Sequence, residues 1–223
     1  MPLDNPEVIA TTRRTFLTRA ALAGALVTAG TALPLTRFLP AAGAAGAVGL
    51  DDTTFAAFAA PLEMAAVQAY QAALDGGTLG DEGPTALDFQ GHHQTVVDVL
   101  TSMLAADAAV PVPDSKILAG TVAALKTATA KAQVLTTLSE LEDELAATHL
   151  WALGSLVEPS TAKIVAQVLA VESQQAVYLG RAGGGDLVAL TPSTANTSAA
   201  RVPAGMPSPA GTTTTSASQG SGN

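Results

Sequence analysis

From Leu62 to Leu74 the chain reads LEMAAVQAYQAAL, with its apolar positions at helical spacing. Leu62, Ala66, Ala69 and Ala73, with Val67, Tyr70 and Leu74, make one small, apolar helix face that carries a single carboxylate, Glu63. Leu141 to Leu153, LEDELAATHLWAL, aligns with this stretch without a gap. Leu62 matches Leu141, Glu63 matches Glu142, Tyr70 matches His149 and Leu74 matches Leu153. A Glu, an aromatic ring seven residues later and a Leu four beyond form one helical design used twice.

The breaks between apolar runs set the elements. Asp51-Asp52-Thr53-Thr54 suits a helix N-terminus, and Asp75-Gly76-Gly77 a C-terminus. Pro61 between them predicts either a kink or a later start. A second helix is expected after Pro84, over about Thr85 to Asp107, with Gly91 as its weak point. Val110-Pro111-Val112-Pro113 then breaks the chain, and a short helix over about Asp114 to Thr127 offers Ile117, Val122 and Leu125 as a covering face. The third helix is expected over about Thr129 to Val157, and the fourth, after Glu158-Pro159-Ser160, over about Thr161 to Arg181. This pattern predicts an all-α fold: an antiparallel four-helix bundle with a long crossover between helices two and three.

Each copy of the repeated stretch is followed by a helix with a polar cluster. Gln90-Gly91-His92-His93 follows the first and Glu172-Ser173-Gln174-Gln175 the second, so Gln90 and His93 match Glu172 and Gln175. Four successive helices then carry Glu63, Gln90 with His93, Glu142, and Glu172 with Gln175. This order resembles the ferritin-like di-iron pattern of Glu, Glu-x-x-His, Glu, Glu-x-x-His, with two of its six positions changed to Gln. The resemblance covers about Asp51 to Gly180, and the flanking apolar pattern looks like that of bacterial extracytoplasmic ferritin-like domains. It implies a ferritin-like bundle over residues 48–182.

Two readings of the six positions stand side by side. In one, iron or manganese is held by Glu63, His93, Glu142 and Glu172, and the resemblance implies ferroxidase-like or peroxide-related oxidoreductase chemistry. In the other, the core is a metal-free relict in which Gln90 and Gln175 hydrogen-bond the carboxylates, and the domain is a non-catalytic module of the cell envelope. Gln90 removes a bridging carboxylate and Gln175 replaces an imidazole by a weakly ligating amide, so the set suits one metal better than two and leans toward the second reading. His92, about 100° around the helix from His93, is expected at a surface or helix interface. His149 is expected to partner the core polar groups or Tyr70, with direct ligation of a metal as the alternative. Tyr178 and Trp151 read as packing residues, and Met64 and Met103 as core fillers.

Composition narrows the alternatives. The chain of 223 residues has no Cys, which excludes disulfides and thiolate metal sites. Only 6 of its 10 basic residues but 17 of its 19 acidic residues follow Ala47, so nucleic-acid binding has no electrostatic footing. No phosphate-binding Gly-rich loop, Ser-His-Asp arrangement or zinc-protease motif is present.

The two ends differ from the middle. Thr12-Arg13-Arg14-Thr15-Phe16-Leu17 resembles the twin-arginine export motif and precedes a moderately apolar run, Ala20 to Leu35, and the small-residue sites Ala42-Gly43-Ala44 and Ala45-Gly46-Ala47. Residues 1–47 are therefore expected to be a signal peptide that engages the export machinery and places the protein outside the cytoplasm. Membrane contact is expected only if the signal stays uncleaved. From Gly183 the helical pattern ends, and 13 of the last 33 residues are Ser or Thr with four Pro and four Gly. Residues 183–223 are expected to be a disordered tail.

Overall fold

The computed structural model describes residues 49–192 and 196–207. The expected signal peptide, up to residue 48, and the tail from residue 208 lie outside the described residues. Four long helices dominate: α1 Asp52–Asp75, α2 Gly83–Ser102, α3 Lys131–Leu153 and α4 Pro159–Ala182. Helices α1 and α2 form one hairpin and α3 and α4 another, and the two join mainly through α1 and α3. The crossover between the hairpins carries three short helical pieces, Ser115–Ile117, Leu118–Val122 and Ala123–Thr127, which pack on α1. The fold is the expected all-α, ferritin-like bundle.

Local chemistry explains the helix ends. The Asp51 side chain accepts from the Thr54 N–H and hydroxyl, both at 2.8 Å, which caps α1 and contributes about 1 kcal/mol. Helix α1 runs on through Pro61 rather than starting there. The Pro61 carbonyl accepts from the Asp114 N–H at 2.8 Å, which ties the crossover to α1. Helix α2 stops at Ser102 instead of continuing to Asp107, and the Ser102 hydroxyl donates back to the Val99 carbonyl at 2.6 Å. Helix α3 ends at Leu153, short of Val157. Gly154 terminates it, and residues 155–157 pair instead with Leu50, through Leu50 N–H to Ser155 O at 2.7 Å and Val157 N–H to Leu50 O at 3.3 Å. Pro159 opens α4 at its first turn, where the missing N–H costs nothing.

Two apolar clusters fill the bundle. One gathers the C-terminal half of α1 with Ile117 and Leu125 of the crossover, Leu135, Leu138, Leu141 and Leu145 of α3, and Leu179 of α4. The other gathers Leu50, Phe55, Ala59, Leu100, Trp151 and Val165. On each helix the polar position singled out above lies between residues of the two clusters, so the polar groups occupy a middle layer. At Gly180 the hairpin α3–α4 is tight: a Cβ there would come 2.8 Å from Ser139 Oγ. A Cβ on Gly91 would meet none of the described residues within 4 Å, so that glycine marks no close approach among them.

The described part of the expected tail departs from expectation. Asp186 caps a short helix, α5, Leu187–Leu190. Ala200, Val202 and Met206 pack on the second apolar cluster. The Arg201 N–H donates to Thr148 Oγ1 at 2.9 Å, its guanidinium meets Glu144 and Asp114, and Trp151 Nε1–H donates to the Pro207 carbonyl. The few apolar residues among the Ser, Thr and Pro suffice for a strap when a groove is ready to receive them. Polar composition alone does not show that groove.

Candidate metal centre

Glu63 of α1, His93 of α2, Glu142 and His149 of α3, and Glu172 and Gln175 of α4 are all buried in the middle layer, none more than 3% exposed. His93 stands between two carboxylates, with Nδ1 2.8 Å from Glu63 Oε2 and Nε2 2.9 Å from Glu142 Oε1. Tyr70, two turns beyond Glu63, donates its hydroxyl to Glu142 Oε1 across the bundle. His149, two turns beyond Glu142, places Nδ1 2.7 Å from Glu172 Oε2 and Nε2 3.6 Å from Glu63 Oε1. The ring at position seven of each repeat thus reaches the repeated Glu of the other hairpin.

Charge and burial compete throughout this layer. Burial pulls the His93 imidazolium down, but the Glu142 and Glu63 carboxylates outweigh it and hold its pKa well above the usual 6.5. His149 follows the same balance, lifted to about 9 by Glu172 and then Glu63. Burial pushes Glu63 up, yet the hydrogen bond and charge of His93, with the charge of His149, leave it below 4.5. Glu172 is pushed up to about 8, first by burial, with the charges of Glu63 and Glu142 adding to it against His149. Burial and the Glu142 charge raise the Tyr70 hydroxyl well above 10. The two imidazoles therefore act as internal cations for the three carboxyl groups.

The other expected site residues lie differently. Gln90 turns away from the layer: its amide donates to the Val67 carbonyl at 3.0 Å and to Gln71 Oε1 at 3.1 Å, so the expected hydrogen bonds from Gln90 to the carboxylates do not form. The Gln175 amide nitrogen lies 2.8 Å from His92 Nδ1, and its carbonyl oxygen has no hydrogen-bond partner among the described residues. His92 is exposed at the α2–α4 seam, in keeping with its expected place. Its pKa is lowered by burial and by the charge of His93. Trp151 packs as expected, whereas Tyr178 is 43% exposed, donates to Glu82 Oε2 at 2.7 Å and meets Phe89 edge-on. His149, which has no place in the six-position pattern, partners the core polar groups as expected from its position in the repeat.

The donor set can be tested against the metals the family pattern implies. Glu63 Oε1, Glu142 Oε2 and Glu172 Oε1 are buried and find no hydrogen-bond partner among the described residues. Glu63, His149 and Glu172 each offer one ligand atom within 4.8 Å of the others. Carboxylate and imidazole donors at this spacing fit one divalent cation of the Fe, Mn or Zn type. They do not fit a pair. The position on α2 that would bring a further carboxylate is Gln90, which faces outward.

A cleft between α2 and α4 reaches this layer. One lobe of about 220 Å³ is lined by His92, His93, Val96, Val168, Glu172 and Gln175. A second of about 180 Å³ shares Thr95, Val96, Gln167 and Val168 with the first and reaches Phe55 and His149.

A family model described as ferritin-like domain matches residues 51–184, more than half of the chain. No curated protein and no solved structure matches it. Four helices with their long crossover, a middle layer of Glu and His and the matched span agree: the chain belongs to the ferritin-like domain family.

Proposed function

We propose that this is an exported ferritin-like domain protein whose two-metal site has degenerated into a self-compensated polar core, binding a divalent cation weakly at most. The observation that carries this reading is the bridging of Glu63 and Glu142 by His93, at 2.8 and 2.9 Å. A buried carboxylate without compensation is costly, and here an imidazolium supplies the compensation that a metal supplies in a two-metal site. The outward turn of Gln90 supports the same reading, since a second cation would lack its bridging carboxylate.

The Glu63, His149 and Glu172 group favours a second reading, an iron- or manganese-dependent oxidoreductase of ferroxidase or peroxide-related type. A bound metal would supply redox chemistry. The chain's own residues would bind and orient it, exclude bulk water through the flanking apolar clusters, and hold protons at Tyr70, His93 and Glu172. Metal analysis of the purified protein separates the readings. Less than one tightly held equivalent is expected, with little change in melting temperature on adding Fe(II) or Mn(II). Two tightly held equivalents of iron would overturn the degenerate reading.

Export rests on Arg13 and Arg14 and the small-residue sites after them. Replacing both arginines by Lys is expected to retain the protein in the cytoplasmic fraction. Unchanged export would remove the twin-arginine assignment.

A further inference from the structure

We infer that the core retains a site for one divalent cation, and that its imidazole ligand is His149, which lies outside the six-position family pattern, and not His93. The inference rests on the degenerate-core reading and names the site that survives in it. His93 has no free nitrogen, because both ring atoms are held by carboxylates at hydrogen-bond distance. His149 uses only Nδ1 in this way, toward Glu172 Oε2 at 2.7 Å. A ligating His commonly donates its other ring N–H to a carboxylate, which fixes the tautomer and frees the second nitrogen for the metal. His149 Nε2 stands 3.6 Å from Glu63 Oε1, too far for a hydrogen bond and on the side where Glu63 offers its unpartnered oxygen. Glu172 keeps Oε1 unpartnered while Oε2 orients the imidazole. Glu63, His149 and Glu172, from α1, α3 and α4, each bring one ligand atom within 4.8 Å of the others, and a bound cation displaces the protons they hold.

Access comes through the α2–α4 cleft. Glu172 lines its first lobe and His149 its second, so both ligands border space that a hydrated cation can reach past Val96 and Val168. The mixed oxygen and imidazole donors suit Zn(II) or Fe(II) best, accept Mn(II), and disfavour Cu(I).

The test is a Zn(II) titration of the full chain carrying 15N-labelled histidine, followed by NMR and calorimetry. One equivalent is expected to bind and to move the ring-nitrogen signal of a single imidazole. His149→Phe should abolish both the binding and the shift, whereas His92→Gln should leave them unchanged. Should His149→Phe fail to fold, Glu172→Gln keeps an acceptor for His149 Nδ1–H and removes the charged ligand, and it is expected to weaken binding by at least about tenfold. No binding, or a moved imidazole signal that persists in His149→Phe, overturns this assignment and leaves the degenerate-core reading standing. Undiminished binding in Glu172→Gln also overturns it. Two bound equivalents overturn both.

Discussion

The hairpin α1–α2 sends His93 to the middle of the bundle and turns Gln90 out, whereas α3–α4 sends both matching residues, Glu172 and Gln175, inward. Tyr70 of the first hairpin gives a proton donor to Glu142, whereas His149, its counterpart, holds Nε2 3.6 Å from Glu63 Oε1. The first hairpin therefore compensates the layer with an imidazolium and a phenol, the second with the His149 imidazolium alone. Among the described residues, the second also leaves Glu172 Oε1 and Gln175 Oε1 without partners, on side chains that line the cleft. Duplication supplied the places, and the residue types at matching places decide whether charge is neutralised from within or left open to a cation.

The contrast is broken most severely at His93. His93→Leu leaves Glu63 and Glu142 buried without their shared cation and is expected to cost about 3–5 kcal/mol. Gln175→Leu, at the matching place, removes one amide contact with His92 and is expected to cost about 1 kcal/mol. Urea denaturation in chelator-containing buffer measures both, and equal losses would show that His93 has no special part in compensating the layer.

Tyr70→Phe comes next. It deletes the donor to Glu142 without changing the ring, so about 1.5–3 kcal/mol should be lost, the value of a hydrogen bond to a charged group. A thermal melt unchanged from that of the parent would remove Tyr70 from the polar layer.

The pH dependence of the metal-free protein sharpens the comparison. Glu172 and His149 both have folded pKa values above their unfolded ones, about 8 against 4.5 and about 9 against 6.5. Between those values the folded chain holds more protons than the unfolded chain, so stability falls as pH rises. His149 contributes fully below pH 6.5 and loses its contribution as pH passes 9. Glu172 starts to lose its contribution above 4.5 and has lost most of it past 8. Each excess proton gives a slope of about 1.4 kcal/mol per pH unit, steepest where the two windows overlap, between 6.5 and 8. Stability that stays flat or rises across that interval would contradict these protonation states. His149→Phe should flatten the upper part of the curve.

The smallest effect is expected at Gln90. Gln90→Ala loses half-buried contacts to Val67 and Gln71 and should cost under about 1 kcal/mol, with Zn(II) affinity unchanged. A marked loss of affinity would place Gln90 at the site after all.

Much of this was legible in the chain. The spacing of Leu62 to Leu74 and its repeat at Leu141 to Leu153 pointed to helices α1 and α3 and to the burial of Glu63 and Glu142. Helical periodicity is a local property, and apolar faces must meet. The offset of three residues also placed Glu172 and Gln175 near one face. What the spacing could not decide was the direction of a side chain at the margin of a helix face. Gln90 lies one turn before His93, yet it satisfies its amide on a carbonyl and a glutamine of α1, a choice that depends on how the two helices are rotated about each other. His149 was visible as a ring in the repeat, but its closeness to Glu63 and Glu172 comes from three helices at once. The ordered strap at Arg201 has the same origin: its partners Asp114, Glu144 and Thr148 are at least 53 residues distant in sequence. Periodicity within an element is written locally, whereas pairing between polar groups is settled only when packing has brought distant segments within hydrogen-bond reach.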